Sequence, residues 1–217
     1  MRRLLPIITL SILFLYACGD GLEMKEETDA LGFRLEYKVD PETGLKQGVQ
    51  RQFDPQGRLT MAENYLDGML EGMRRIYTPE GKVIVEENYK ADEFDGDYIT
   101  YDSTGVISGK GQYLDGAMNR AWYRFYPNGK VKEAVTFVDN SESGPFREWY
   151  ESGQPKASGA YINGDNEHGN LHLYAESGEL ERVLNCNEGA CTTVWTSDST
   201  GAVPQGVDMT MPDILVK

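Results

Sequence analysis

The sequence predicts an all-β fold, an elongated twisted antiparallel meander or solenoid of 24-residue β-hairpin repeats, on three observations. The first is a period. Glycine opens a unit at Gly48, Gly72, Gly96, Gly144 and, after one inserted residue, Gly169, with Arg120 in the fourth place. Five positions on stands an aromatic (Phe53, Tyr77, Tyr101, Phe125, Trp149, Tyr174), and nine positions on a glycine (Gly57, Gly81, Gly105, Gly129, Gly153, Gly178). Seventeen positions on come Tyr65, Tyr89, Tyr113, Phe137, Tyr161 and Cys186. Repetition in one register means a stack of supersecondary units, each burying its face against its neighbours. The second observation is alternation. Offsets 11, 13, 15 and 17 hold Leu59, Met61, Glu63, Tyr65, then Val83, Val85, Glu87, Tyr89, while Thr60, Asn64, Glu86 and Asn88 fall between them. One face apolar or small and the other polar is the pattern of a half-solvated antiparallel sheet. The third is connection length. Links of four to six residues allow hairpins only, because parallel crossovers need about a dozen.

Residues 1–17 read as an address rather than as part of the fold. Arg2 and Arg3 precede an apolar run from Leu4 to Tyr16, shorter than the ~20 residues of a transmembrane helix but suited to a signal peptide. The run ends in Leu15-Tyr16-Ala17-Cys18, which resembles a bacterial lipobox. The resemblance implies cleavage before Cys18 and a diacylglycerol on its thiol, so the protein is expected to be anchored to a membrane and not to span it. Gly19 rather than aspartate follows Cys18, which favours the outer membrane of the bacterial envelope over the inner. Residues 18–31, polar and acidic, read as the lipidated tether.

The repeat array is expected over residues 32–187. Residues 32–47 form a degenerate leading unit in which Phe33, Leu35 and Tyr37 alternate before a Pro41-Glu42-Thr43-Gly44 turn. In the unit 72–95, Gly72–Tyr77 is a first strand, Thr78-Pro79-Glu80-Gly81 a turn in which proline presets φ and glycine supplies positive φ, and Lys82–Tyr89 the second strand. Looser turns follow at Asp67-Gly68, Asp115-Gly116 and Asn163-Gly164. Residues 188–217 read as a terminal strand, CTTVWT from Cys191, and a C-terminal tail or loose cap.

Of three cysteines, Cys18 is assigned to lipid, which leaves Cys186 and Cys191 as an even pair in an oxidising compartment. They flank Asn187-Glu188-Gly189-Ala190 and read as a disulfide that clamps the end of the stack. A metal site with His168 and His172 is the rival, but His-x3-His with Cys-x4-Cys is not a zinc spacing. Asp92–Asp97 and Asn163–Glu167 offer oxygens to calcium, yet neither follows the EF-hand pattern, and both read as solvated turns in an acidic chain.

The chain carries 21 Lys+Arg against 35 Asp+Glu, a net charge of −14. Loss of Arg2 and Arg3 with the signal takes the mature protein to −16. Such a balance excludes a nucleic-acid partner, whose phosphates need a basic footprint, and suits a basic protein partner. No Gly-x-Ser-x-Gly elbow, phosphate-binding loop or His-Glu-x-x-His motif is present. The glycines sit at turn offsets, and paired carboxylates such as Glu86-Glu87 point to opposite faces of a strand. No catalytic residue, metal or cofactor is therefore implied. Rings cluster in the fourth and fifth units, and offsets 2 and 5 fall on opposite faces of a strand, so part of that cluster is expected in solvent. Trp122, Tyr126, Trp149 and Tyr150 are the candidate interaction aromatics.

Tyr77-Thr78-Pro79-Glu80-Gly81-Lys82 and Phe125-Tyr126-Pro127-Asn128-Gly129-Lys130 resemble the core of the MORN-variant repeat. Through it the array is similar to the YwqK-type antitoxin components. The resemblance implies a twisted β-hairpin array with a protein-interaction role and no catalytic residues. Arg120, Cys186 and the residue inserted before Gly169 depart from its pattern. With the lipobox, the leading expectation is a non-enzymatic, membrane-anchored interaction scaffold of the bacterial envelope. An immunity protein that neutralises a toxin and an envelope carbohydrate-binding module are the alternatives.

Overall fold

The computed structural model describes residues 20–206. The signal segment, Cys18 and residues 207–217 lie outside the described residues. Those described form one antiparallel meander, and no element is helical. A leading hairpin, β1 (Glu23–Thr28) and β2 (Arg34–Val39), is followed by β3 (Lys46–Phe53) and β4 (Leu59–Leu66). The second unit is β5 (Met69–Leu70), β6 (Gly72–Tyr77) and β7 (Val83–Lys90). The third is β8 (Glu93–Phe94), β9 (Gly96–Tyr101) and β10 (Ile107–Leu114). Then come β11 (Ala117–Phe125), β12 (Val131–Val138), β13 (Ser141–Trp149), β14 (Pro155–Ile162), β15 (Asn166–Tyr174), β16 (Leu180–Asn187) and β17 (Ala190–Thr196). Each strand pairs with the one before and the one after, as the repeat predicts, with β5–β6 and β8–β9 acting as interrupted single strands.

The array starts earlier than the composition suggests. Residues 18–31 are expected as tether, but β1 lies within them and pairs with β2 from Glu23↔Val39 to Thr28↔Arg34. Asp29 explains why. Its carboxylate accepts from the N–H groups of Leu31 and Phe33, and its backbone closes a turn to Phe33. Asp54 and Asp102 make the same turn in later units. The polar strand EMKEET hides this unit from a hydrophobic-pattern reading.

Every unit carries a bulge at offset 12. Gln52 faces Met61 and Phe53 faces Leu59, which leaves Thr60 extra; Ile84, Ser108, Lys132, Lys156 and Glu181 are extra in the same way. The bulge corrects the strict alternation expected of offsets 11–17. Leu59, Val83, Ile107 and Val131 turn to the face of the offset-5 aromatics, away from offsets 13, 15 and 17. Both faces consequently hold packed clusters. Val135, Phe146 and Ala157, with Phe137, Tyr161, Leu171 and Leu173, lie on one face. Tyr123, Val131, Ala134 and Trp149 lie on the other.

On the first face one row of directly opposed residues runs across the sheet. It reads Gln50↔Glu63, Arg74↔Glu87, Tyr98↔Gly111, Trp122↔Val135, Phe146↔Gly159, Leu171↔Leu184. We call it the spine. Its first members are polar and bonded. Gln50 Nε2 donates to Glu63 Oε1 at 2.6 Å, and Arg74 Nε to Glu87 Oε2 at 2.6 Å, both carboxylates being buried. Its later members are apolar, with glycine wherever a large ring lies across the backbone.

Lateral bonds tie unit to unit. The side-chain amides of Asn64 and Asn88 donate to the carbonyls of Met73 and Asp97, and Thr136 Oγ1 to Pro145 O. At the other end of the strands, Lys82 and Lys130 Nζ donate to Ser103 O and Ser152 O. Cys186 and Cys191 face each other across β16–β17 and are joined in a disulfide. Residues 197–206 do not hang loose. They cross back over the sheet, where Gly201 O accepts from Trp195 Nε1, Pro204 O from the buried His172 Nε2, and Gln205 O from Asn170 Nδ2.

Two substitutions test this frame. A Cβ on Gly111 would sit 2.0 Å from Trp122 Cδ2, so Gly111→Ala is expected to cost about 1–3 kcal/mol in chemical denaturation. Arg120 occupies a glycine place at φ 64°. Arg120→Gly relieves about 1–2 kcal/mol of left-handed strain against about 0.5–1 kcal/mol of glycine entropy. A net gain of about 0.5 kcal/mol is expected in the same measurement.

Candidate interaction face

Two rows organise the spine face. Beside the spine, each offset-17 ring lies opposite the residue that opens its unit, a glycine as in Gly48↔Tyr65 and Gly144↔Tyr161, or Arg120 in the case of Phe137. On its other side it faces offset 22 of the following turn. That place is Leu70, Phe94 and Met118 in the first three units and Glu142 and Glu167 in the next two. Glycine leaves open the space that the neighbouring rings fill. The result is a ladder of rings, half-buried except for the buried Tyr89 and Phe146. Tyr89 meets Phe94 at 4.6 Å, Phe94 meets Tyr113 at 4.8 Å, and Tyr113 meets Trp122 edge-on at 5.2 Å. Tyr98 leans on Tyr113 and Trp122, Trp122 on Phe137 at 6.0 Å, and Phe146 stacks on Tyr161 at 4.4 Å. Such offset and edge-on pairs each add about 0.5–1.5 kcal/mol beyond burial.

The charges are distributed unevenly along this ladder. At the start Arg74 bonds Glu87 and lies over the Tyr89 ring at 4.9 Å, while Lys46 lies over Tyr37 and Tyr65. Burial, then the Glu63 carboxylate that accepts its hydroxyl, pushes Tyr65 far up. At the other end Arg124 pairs with Glu133 at 3.1 Å and Lys156 with Glu148. Glu142 and Glu167 have no such partner among the described residues. Burial, then repulsion from Glu133 and Asp165, raises the Glu142 carboxyl above its ordinary range. Tyr161 is pushed up to about 12, first by burial and then by Glu142, Glu167, Glu148 and Glu133.

Of the four candidate aromatics, only Trp122 stands in this ladder. Trp149 is 7% exposed and packs on the opposite face with Tyr123, Val131 and Ala134, so it is core rather than anchor. Tyr126 and Tyr150 sit in turns, half-buried. Their hydroxyls donate to Trp149 O and Tyr174 O, both at 2.8 Å, and staple one turn to the next. Asp54 and Asp102 close the equivalent turns with their own carboxylates. The face instead uses Phe94, Tyr98, Tyr113, Phe137 and Tyr161. Offset 17 reads as core in the sequence, and Phe94 and Tyr98 stand out only when offsets 22 and 2 are recognised as neighbours of that row.

Cys186 and Cys191 are bonded to each other, His172 is turned to Pro204, and His168 is exposed, so the four do not share a site. In the acidic turns Asp92 Oδ1 accepts from Leu70 N–H and Asp97 Oδ1 from Gln112 Nε2. Among the described residues no three His, Cys, Asp or Glu converge as a metal-holding group.

The fold defines a repeat protein built as a single antiparallel sheet. Residues 70–91, 121–139 and 142–163 match the MORN repeat variant family, and they coincide with the second, fourth and fifth units. Repeats of this family are often involved in binding and are generally non-enzymatic. The comparison with curated proteins gives no match.

Because the folded chain holds the Glu142 proton more tightly than the unfolded chain does, ionisation of Glu142 costs stability. The cost is absent below the ordinary glutamate range and complete above the raised folded value. Glu142→Gln is expected to raise the Tm by ~1–2 °C near pH 7. Thermal melts should show no gain near pH 3.

Proposed function

We propose that the protein is a non-enzymatic binding scaffold of the bacterial envelope, held to a membrane by lipid on Cys18, that offers the spine-face ring ladder to a protein partner. The observation that carries this reading is the half-buried run of rings from Phe94 to Phe137, which continues the row from the buried Tyr89. Aromatic rings of this kind dominate protein interfaces. The MORN repeat variant matches support a binding role, and the lipobox supports the anchor. The outer membrane is the proposed site, from Gly19 after Cys18. Should the partner be a toxin, the same face would act as an immunity surface.

Two measurements test the reading. Cys18→Ser should abolish incorporation of labelled palmitate and move the protein from the membrane to the soluble fraction. Tyr98→Ala, which removes one ring of the ladder and leaves every glycine of the spine in place, should reduce recovery of a crosslinked partner from solubilised envelopes at least tenfold. Unchanged fractionation refutes the anchor, and unchanged recovery refutes the assigned face.

A further inference from the structure

The fourth and fifth units combine two features that the rest of the spine face keeps apart. Phe137 and Tyr161 each face a carboxylate, Phe137↔Glu142 and Tyr161↔Glu167. Tyr161 stacks on the buried Phe146, Phe137 packs against the same buried cluster, and Trp122 closes the row at Phe137. In the first three units the offset-22 place is Leu70, Phe94 or Met118. Arg124 pairs with Glu133, Lys156 with Glu148, and Arg120, across from Phe137, donates to Gln112 Oε1 at 2.9 Å. Among the described residues, two carboxylates with no ion-pair partner therefore stand beside a row of rings, in a chain of net charge −14.

We propose that this end of the face receives a basic segment of the partner, an extended peptide whose Lys or Arg side chains lie between the rings of Trp122, Phe137 and Tyr161 and the carboxylates of Glu142 and Glu167. The proposal rests on the binding reading above and adds the partner's chemistry. Ring faces attract cations, and a nearby carboxylate strengthens the attraction. β13 and β15 are two strand spacings apart, about 9.6 Å, and Glu167 lies level with Gly144, two residues along from Glu142, so a peptide laid obliquely across the strands meets both carboxylates, about 12 Å apart, with cations about four residues apart. A second copy of the chain does not fit, because it would bring the same acidic charge to the same place. The raised proton affinity of Glu142 agrees, since a bound cation would relieve the repulsion that causes it.

The test uses the detergent-solubilised full chain and three fluorescent dodecapeptides of one scaffold, with Lys, Gln or Glu at alternate positions. Fluorescence anisotropy is expected to show binding of the Lys peptide alone, weakening as salt rises. Glu142→Gln with Glu167→Gln should weaken it at least tenfold. Glu42→Gln with Glu80→Gln removes the same charge from exposed turns and should change it less than twofold. Equal losses in the two pairs would reduce the effect to net charge and overturn the proposal. So would equal binding of the Gln peptide, or no binding of the Lys peptide. If the envelope partner is still captured through Tyr98 while these peptides fail, the binding reading stands and its basic chemistry falls.

Discussion

The spine is the constraint on which the other features depend. Large rings at Trp122 and Phe146 lie flat over the neighbouring strand only because Gly111 and Gly159 leave the backbone bare beneath them. A Cβ on Gly159 would lie 2.8 Å from the Phe146 ring. A single-layer sheet has no second layer to bury its side chains. This one replaces that layer by laying each unit's largest residue across its neighbour. The opening glycines serve the same arrangement one row away, by clearing room for the offset-17 rings. Arg120, held at positive φ in that place, shows that the backbone path is imposed by the repeat even where the side chain opposes it.

The character of the spine changes along the sheet, and the two ends of the face differ as a result. Glu63 and Glu87 are buried at 5% and 7% exposure, where the later units carry Gly111, Val135, Gly159 and Leu184. Buried carboxylates persist only when paired and bonded. Gln50, Tyr65, Arg74 and Tyr89 meet that demand and are thereby withdrawn from solvent. In the later units the spine is apolar, and the acidic groups sit one row out at Glu142 and Glu167. Among the described residues, the carboxylates beside the ring row are thus satisfied at one end of the sheet, while Glu142 and Glu167 at the other have no ion-pair partner.

Much of the architecture is legible in the sequence, because period, turn glycines and strand-ending rings all report the same register. The antiparallel meander and its turns follow from Gly57, Gly81 and their counterparts without reference to coordinates. Three things do not. The bulge residues Thr60, Ile84, Ser108, Lys132, Lys156 and Glu181 share no side-chain type, since a bulge is a backbone event; only the register of Leu59, Val83 and Val131 exposes it. β1 is concealed by its charge. Trp122 and Trp149 fall on opposite faces as offsets 2 and 5 predict, but the packing of the Trp149 face is hidden, because it is the bulge that turns Val131 toward it.

The lateral bonds of Asn64, Asn88, Thr136, Lys82 and Lys130 all join a unit to the next one only. Strand pairing among the described residues likewise joins each unit to its neighbours, so the chain folds and loosens as a one-dimensional array. Opening starts at an end and moves inward one hairpin at a time, and the two ends are not equal. β1 is exposed and highly charged, whereas β17 is held by the Cys186–Cys191 link and the returning residues 197–206. Amide exchange would therefore rank the molecule by position: fastest at the leading hairpin, slowest around β12–β14 where both buried clusters meet, and intermediate toward β17.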